Sequence, residues 1–480
     1  MKISSIGRER SPAGPHPEDS EQTALAAIRI LEHRAGSPPC SRSNIRGDRA
    51  GPETSPGGRI GDAVIGKGST DRPLAEEQAR EVVAGLAAAD PLTGRRVLVL
   101  IPDGTRHAPI PLLFRLIWEE VGRQAACLHY LVALGTHPPM TGAALDRLVG
   151  VPADERALRY PGVDVANHAW HSPEELTSIG TITPDDAAEL TGGLLQEAVP
   201  VTLNRKVIEY DVILICGPVF PHEVVGYSGG AKYLFPGIAG AEIINATHWL
   251  GALVTSMDTI GIKDTPVRRV IHRAASLVPA RVRCLAMAVH DQELYGLYGG
   301  GYEEAWSAAA DLSAELDVVN LDRPLHRVLS MPSAIYDDLW TAAKAMYKVE
   351  PAIADGGEVV IYAPHLAEIS YTHGALIDEV GYHVRDYFTS QPERFREVPG
   401  MIRAHSTHVK GKGTYDPANR MERPRIQVTL ATAIPEERCR RVNLGYMDPR
   451  EVRIEDWEEQ LSSGVLVVRN AGEQLYRAPQ

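Results

Sequence analysis

The stretch Tyr210–Trp249 reads YDVILICGPVFPHEVVGYSGGAKYLFPGIAGAEIINATHW, and its punctuation decides how the rest of the chain is taken. Val212–Ile215 is an apolar, β-branched run, the mark of a buried strand, and Cys216-Gly217-Pro218 ends it. A loop follows with His222 and the glycines Gly226, Gly229 and Gly230. Then come Lys232 among small residues, the pair Pro236-Gly237, and a helical segment ending near His248. One strand–loop–helix unit thus carries three chemically able side chains on backbone that tolerates close approach of a ligand. The spacing, and the absence of Ser or Thr after Lys232, argue against a nucleotide-triphosphatase phosphate loop. Taken singly, His222 reads equally as a hydrogen-bonded loop residue and His248 as an ordinary residue near a helix end.

Outward from this unit, strands alternate with helices. A helix is expected over Leu74–Ala89, then strands at Arg96–Ile101 and Cys127–Leu134, each followed by a helix, at Pro111–Val121 and Gly142–Leu148. Further strands fall at Arg283–Val289, Arg327–Met331, Glu358–Tyr362, Gln427–Ala431 and Val465–Val468, with a helix through Trp340–Tyr347. Such alternation indicates an α/β protein with mainly parallel sheets. The expected organisation is a flexible extension over residues 1–59 and an N-terminal α/β domain over 60–308. A C-terminal α/β domain covers 309–440, and 441–480 is a segment returning to the first domain. A hinge is expected near Ala308–Glu315, with the active site in the cleft between two α/β domains.

At 480 residues the chain can bury more than one core, and 44% hydrophobic residues supply the material for it. A formal net charge of -13 argues against nucleic acid or an anionic membrane as a general partner. No apolar run approaches membrane-spanning length. The five cysteines are scattered and odd in number, without a CxxC pair, which suits reduced thiols in a cytoplasmic protein.

Unusual polar residues recur where strands end: Asp103, Thr105 and Arg106 after one, His137 after the next, His222 after a third, and His365 after a fourth. In open α/β sheets that edge is where ligands sit. Asp103 and Thr105 also suit capping of the next helix, and Lys344 would by default be solvated. Together at one edge they read as a shared site. His137 and His222 can serve as acid and base near neutral pH, the pair a two-base racemase or epimerase needs. Arg106 offers a planar fork for a carboxylate, Lys232 can bond a cofactor covalently, and His248 can ligate a metal.

With these residues in view, the chain from about residue 60 resembles the lactate racemase family. The resemblance rests on GYSGGAKYLFPGI (Gly226–Ile238), with His222 ten residues before Lys232 and His248 sixteen after it. DGTR (Asp103–Arg106), GTH (Gly135–His137) and the helix around Lys344 add to it. It implies a nickel-pincer nucleotide, the pyridinium-3,5-bisthiocarboxylic acid mononucleotide of nickel, supplied by cofactor-biosynthesis proteins acting in trans. Lys232 matches the lysine that links to the cofactor, and His248 the nickel ligand. Asp103, Thr105, Arg106, Gly229, Gly230 and Trp340 would border the cofactor, while Arg106, Lys344 and Thr341 would hold the substrate. His137 and His222 match the acid/base pair. The implied activity is racemisation or epimerisation of a 2-hydroxy acid through hydride transfer and a 2-keto acid. Two rival readings are a metal-dependent hydrolase or lyase using His222 and His248 as ligands, and a non-catalytic nickel-cofactor-binding protein.

Trp340-Thr341 replaces the Tyr-Gln of the lactate enzymes, which implies a reshaped pocket. The segment His405–Asp416 (HSTHVKGKGTYD) reads as a Gly-containing loop bearing His405, His408, Lys410 and Lys412. It is either a reader of a larger or more polar hydroxy acid or a basic surface loop. His168, in NHAWH, takes a structural reading.

Overall fold

Two parallel arrays account for the strand-like stretches. The first comprises β1 (Ile65–Gly68), β2 (Arg96–Ile101), β3 (Cys127–Val132), β4 (Val165–Asn167), β5 (Val212–Pro218), β6 (Arg281–His290) and β7 (Glu293–Gly301). The second comprises β8 (Leu325–Pro332), β9 (Ile353–Ala363), β10 (Gln427–Thr432), β11 (Gly445–Tyr446) and β12 (Val465–Ala471). The computed structural model describes residues 63–479 except 91, 461 and 462, so the extension expected over 1–59 lies outside the described residues.

In the first sheet the order is β1-β7-β6-β5-β2-β3-β4, with β6, β5, β2, β3 and β4 mutually parallel and β7 antiparallel to its two neighbours. Every residue of β5 is buried, as a central parallel strand covered on both faces requires. Its register sets Val97 opposite Val212 and Leu100 opposite Ile215. Ile213, Leu214 and Ile215 are each wholly enclosed, and each contributes roughly 1.5–3 kcal/mol relative to exposure. The second sheet runs β11-β10-β9-β8-β12, all parallel.

The covering helices include α1 (Glu76–Ala89), α2 (Ile110–Ile117), α3 (Gly142–Val149), α4 (Ala241–Val254) and α5 (Tyr302–Asp317). Then come the short α6 (Leu339–Ala342) and α7 (Lys344–Tyr347), and α8 (Gly400–Lys410). The residues expected to form a hinge, 308–315, lie inside α5. There Ala309, Ala310 and Leu312 are buried, and the helix packs on β6 and β7. A helix held by its apolar face cannot bend at that point, and the first sheet ends only with α5. At the C-terminus β12 joins the second sheet, while Leu475–Arg477 pairs in parallel with Val318–Asn320.

Two expectations need correcting. Residues 405–410 are not loop but the last turns of α8, and they are largely buried; only Gly413–Asp416 forms a short strand, paired with Met421–Pro424. Cys127 is disulfide-bonded, whereas Cys216, Cys284 and Cys439 are free and buried. Cys127 starts its strand half-buried, where a partner can reach the thiol; the other three are enclosed. Among the described residues no helix is long and apolar enough to cross a membrane.

Candidate active site

The first sheet has its topological switch between β2 and β5. The chain runs outward from β2 through β3 to β4 and then returns to the other side of β2. Loops leaving β2 and β5 therefore diverge and open a crevice at the carboxyl edge. Asp103 and Arg106 follow β2, His137 follows β3, and His222 and Lys232 follow β5; all five line one cavity there. Gly229 and His248 line the same cavity, as do Trp340, Thr341 and Lys344 from the segment after β8. Two expected members do not. Thr105 donates its hydroxyl to Asp103 Oδ1 at 2.6 Å, so it holds that carboxylate in place. Gly230 is buried against Trp306, whose ring atoms would stand 2.9 Å from an added Cβ, and its φ of 55° is left-handed. Its service is to turn the chain so that Lys232 reaches the cavity.

His365 is exposed and bonds the Tyr336 carbonyl, outside this cavity. His168 is buried, hydrogen-bonded to the Ala239 carbonyl and to Asn204, in agreement with a structural role.

Hydrogen bonds dictate where each histidine keeps its proton. His137 Nδ1 stands 2.5 Å from Asp103 Oδ2. Burial alone would raise the Asp103 carboxyl, but the adjoining His137, their hydrogen bond and the Arg106 charge hold it well below the carboxylate range. An ionised carboxylate only accepts, so Nδ1 carries the proton and Nε2 is left as a base. His222 is the reverse. The Val224 N–H donates to its Nδ1 at 3.2 Å, which puts the neutral ring's proton on Nε2. Burial, reinforced by the charges of Lys232 and Arg106, pushes its pKa far below the usual imidazole value. Glu223 Oε2 lies 3.1 Å from the same Nδ1, a partner for the ring once it is protonated.

His248 sits on α4, where its Nδ1–H donates to the Ile244 carbonyl one turn back at 2.7 Å. Nε2 is thereby left with its lone pair, and burial lowers the pKa to about 4, so the imidazole is neutral. Burial likewise lowers the Lys232 ammonium to about 8, with Arg106 adding to the effect. Lys344, 7% exposed, is pushed well below the lysine range by burial and then by Arg106. Its Nζ lies 4.3 Å from the Tyr336 ring centroid.

Sequence reasoning placed His405 and His408 on a loop. They line the cavity from α8, with Met401 one turn before His405. Helix α8 docks closely on α4: an added Cβ at Gly400 would lie 2.4 Å from the Asn245 carbonyl oxygen, and the Met401 N–H donates to Asn245 Oδ1 at 3.1 Å. Met401, His405 and His408 stand at i, i+4 and i+7, one stripe of a helix, and that spacing was the available signal. Trp340 stacks flat on His405, with ring centroids 3.9 Å apart and planes 9° apart, and leans on His373 at 4.5 Å. Burial lowers His405 to about 3 and His408 to about 4, so both are uncharged. Among the described residues no group of three or more His, Cys, Asp or Glu is arranged to hold a metal ion.

Comparison with known proteins bears on this arrangement. The lactate racemase N-terminal domain matches residues 71–261, the span that carries Asp103, His137, His222, Lys232 and His248. Residues 71–261 are a lactate racemase N-terminal domain. Lactate racemase of Thermoanaerobacterium thermosaccharolyticum is 22% identical over 304 residues, 62% of this chain and 65% of that protein. The enzyme of Lactiplantibacillus plantarum is 22% identical over 306 residues, 62% of this chain and 64% of that protein. The match thus spans just under two thirds of either lactate racemase. Among solved structures, a protein from Thermotoga maritima aligns with a TM-score of 0.76 at 33% identity, covering 85% of this chain and 99% of that one. The lactate racemase apoprotein of T. thermosaccharolyticum aligns with a TM-score of 0.62 at 19% identity, covering 84% and 93%. That likeness shows the lactate racemase fold.

Proposed function

We propose that this chain is a racemase or epimerase of a 2-hydroxy acid that works with a nickel-pincer nucleotide made by other proteins and delivered in trans. The observation that carries the reading is one cavity lined by two histidines of opposite proton placement, together with a buried lysine and a neutral histidine. The donor set suits the cofactor. Lys232, lowered to about 8, has an amine able to form the thioamide link, and His248 offers an unprotonated Nε2 to nickel. When bound, the nucleotide would supply a carbon able to accept and return the hydride from substrate C2.

The chain's own residues do the rest. Arg106 and Lys344 are the cations that would hold the substrate carboxylate and so fix how the C2 oxygen is presented to the two imidazoles. His137 Nε2, backed by the Asp103 carboxylate, takes the hydroxyl proton of one enantiomer as a 2-keto acid forms. For the opposite enantiomer His222 acts in its doubly protonated form: with Nδ1–H facing Glu223, its Nε2–H gives a proton to the oxygen and leaves the neutral ring, which takes up a proton again before the next cycle. A two-lobed arrangement, one lobe about each sheet, and residence in the cytoplasm belong to the same proposal.

Supplying cofactor-loaded protein with single enantiomers of 2-hydroxy acids, followed by chiral separation, tests the activity. Conversion toward equal amounts supports it. Unchanged enantiomers across the panel, in protein carrying stoichiometric nickel and cofactor sulfur, would leave a carrier in its place.

A further inference from the structure

The wall made by α6 and α8 contains polar atoms that the proposed chemistry does not use. His405 is 9% exposed and His408 4%, and both line the cavity. His405 Nε2–H donates to the Trp340 carbonyl at 3.2 Å, which leaves Nδ1 with a lone pair; that buried Nδ1 has no partner in the protein. The buried Nε2 of His408 has none either. A buried polar atom without a hydrogen bond costs about 1–3 kcal/mol, so two on one wall call for a partner the protein does not supply. Both rings are uncharged, and a carboxylate or ammonium there would gain no opposite charge from them. Hydroxyl groups suit them, since an O–H can donate to one lone pair and accept from a ring N–H elsewhere. Beside them Trp340 lines the cavity, its indole stacked on His405 and in contact with His373, which fixes the His405 ring in place.

We infer that His405 and His408 are specificity residues for a 2-hydroxy acid that carries further hydroxyl groups on the carbons beyond C2. This rests on the racemase reading and narrows its substrate class. A methyl group at C3, as in lactate, leaves both nitrogens unpartnered; a hydroxymethyl group satisfies at least one. The discrimination is the kind a site built around hydrogen bonds achieves, because the poorer substrate strands buried polar groups.

Lactate and glycerate, which differ only by that hydroxyl, test it directly, with threonate and erythronate as a longer C2-epimeric pair. With cofactor-loaded enzyme, kcat/KM for glycerate and for the four-carbon pair should exceed that for lactate by on the order of 100-fold. In His405→Phe, which keeps an aromatic surface against Trp340 but removes both nitrogens, the glycerate-to-lactate ratio should fall about tenfold or more. His405→Asn, which restores a polar group near the position of Nδ1, should recover part of it. Calorimetric binding of glycerate to the loaded enzyme should weaken in parallel. Lactate turned over as well as the polyhydroxy acids, or a ratio unmoved in His405→Phe, would overturn the inference while leaving the racemase reading intact. Failure of every substrate to change configuration would instead defeat the racemase reading.

Discussion

The two sheets supply the cavity by different means. The seven-stranded sheet contributes loops: Asp103, His137, His222 and Lys232 all follow parallel strands at one carboxyl edge. The five-stranded sheet contributes helices: Trp340, Thr341 and Lys344 come from α6 and α7, and His405 and His408 from α8. Loop groups are held by specific hydrogen bonds, such as Asp103 to His137 and the Val224 N–H to His222. Helix groups are held by packing and by bonds to backbone: Trp340 stacks on His405 and its carbonyl accepts from the His405 Nε2–H, and Gly400 lies in close contact with α4. The first arrangement suits proton transfer, where the position of each proton matters. The second suits recognition, where a fixed surface matters.

Breaking the loop side should cost most. Lys232→Ala should abolish both the covalent cofactor adduct and turnover, read by intact-protein mass and chiral assay; an adduct at undiminished level in the variant would refute the linkage. Next comes Asp103→Asn. An amide there can donate as well as accept, so His137 is no longer held with its proton on Nδ1, and kcat should fall by on the order of 10²-fold at the low end of acid–base effects. A rate within twofold of the parent would show that the pair does not orient the base.

On the helix side the effect should appear in binding. Lys344→Met removes one cation from the carboxylate clamp, and KM should rise about tenfold with kcat reduced less, consistent with loss of one charge-assisted hydrogen bond. A pure kcat effect would move Lys344 to the chemistry and erase the distinction between the two sides. The smallest effect is a matter of pH. Burial holds Lys232 at about 8 in place of 10.5, so the amine is neutral above that value and charged below it. Labelling of Lys232 by an acylating reagent in cofactor-free protein should therefore rise with pH through about 8, while an exposed lysine follows its ordinary curve.

The contrast also explains what could be read in advance. Parallel strands announce themselves as apolar runs, and the residues that follow them land on a known edge, so Asp103, His137 and His222 could be placed together from spacing alone. Lys232 and His248 needed the family pattern as well, since a lysine after glycines has many uses. Thr105 and Gly230 were assigned to the ligand because sequence distance cannot separate a residue that touches a pocket from one that orients its neighbour. The helix α8 was missed for a physical reason. Gly411 and Gly413 break the pattern just after it, and six polar residues within His405–Lys412 look solvated unless the docking of Gly400 on α4 is known. The hinge expected at 308–315 failed because its alanine-rich composition suits a tight helix–sheet contact as well as a flexible joint.

The central claim is that His137 and His222 exchange protons with the C2 oxygen of the same substrate, each serving one enantiomer. Cofactor-loaded wild type, His137→Ala and His222→Ala, each given one pure enantiomer of a 2-hydroxy acid that the wild type converts, would test it most directly by chiral separation over time. Each variant should keep its nickel and its covalent adduct yet convert roughly 10²–10⁴-fold more slowly. Conversion at the wild-type rate by either variant would contradict the account.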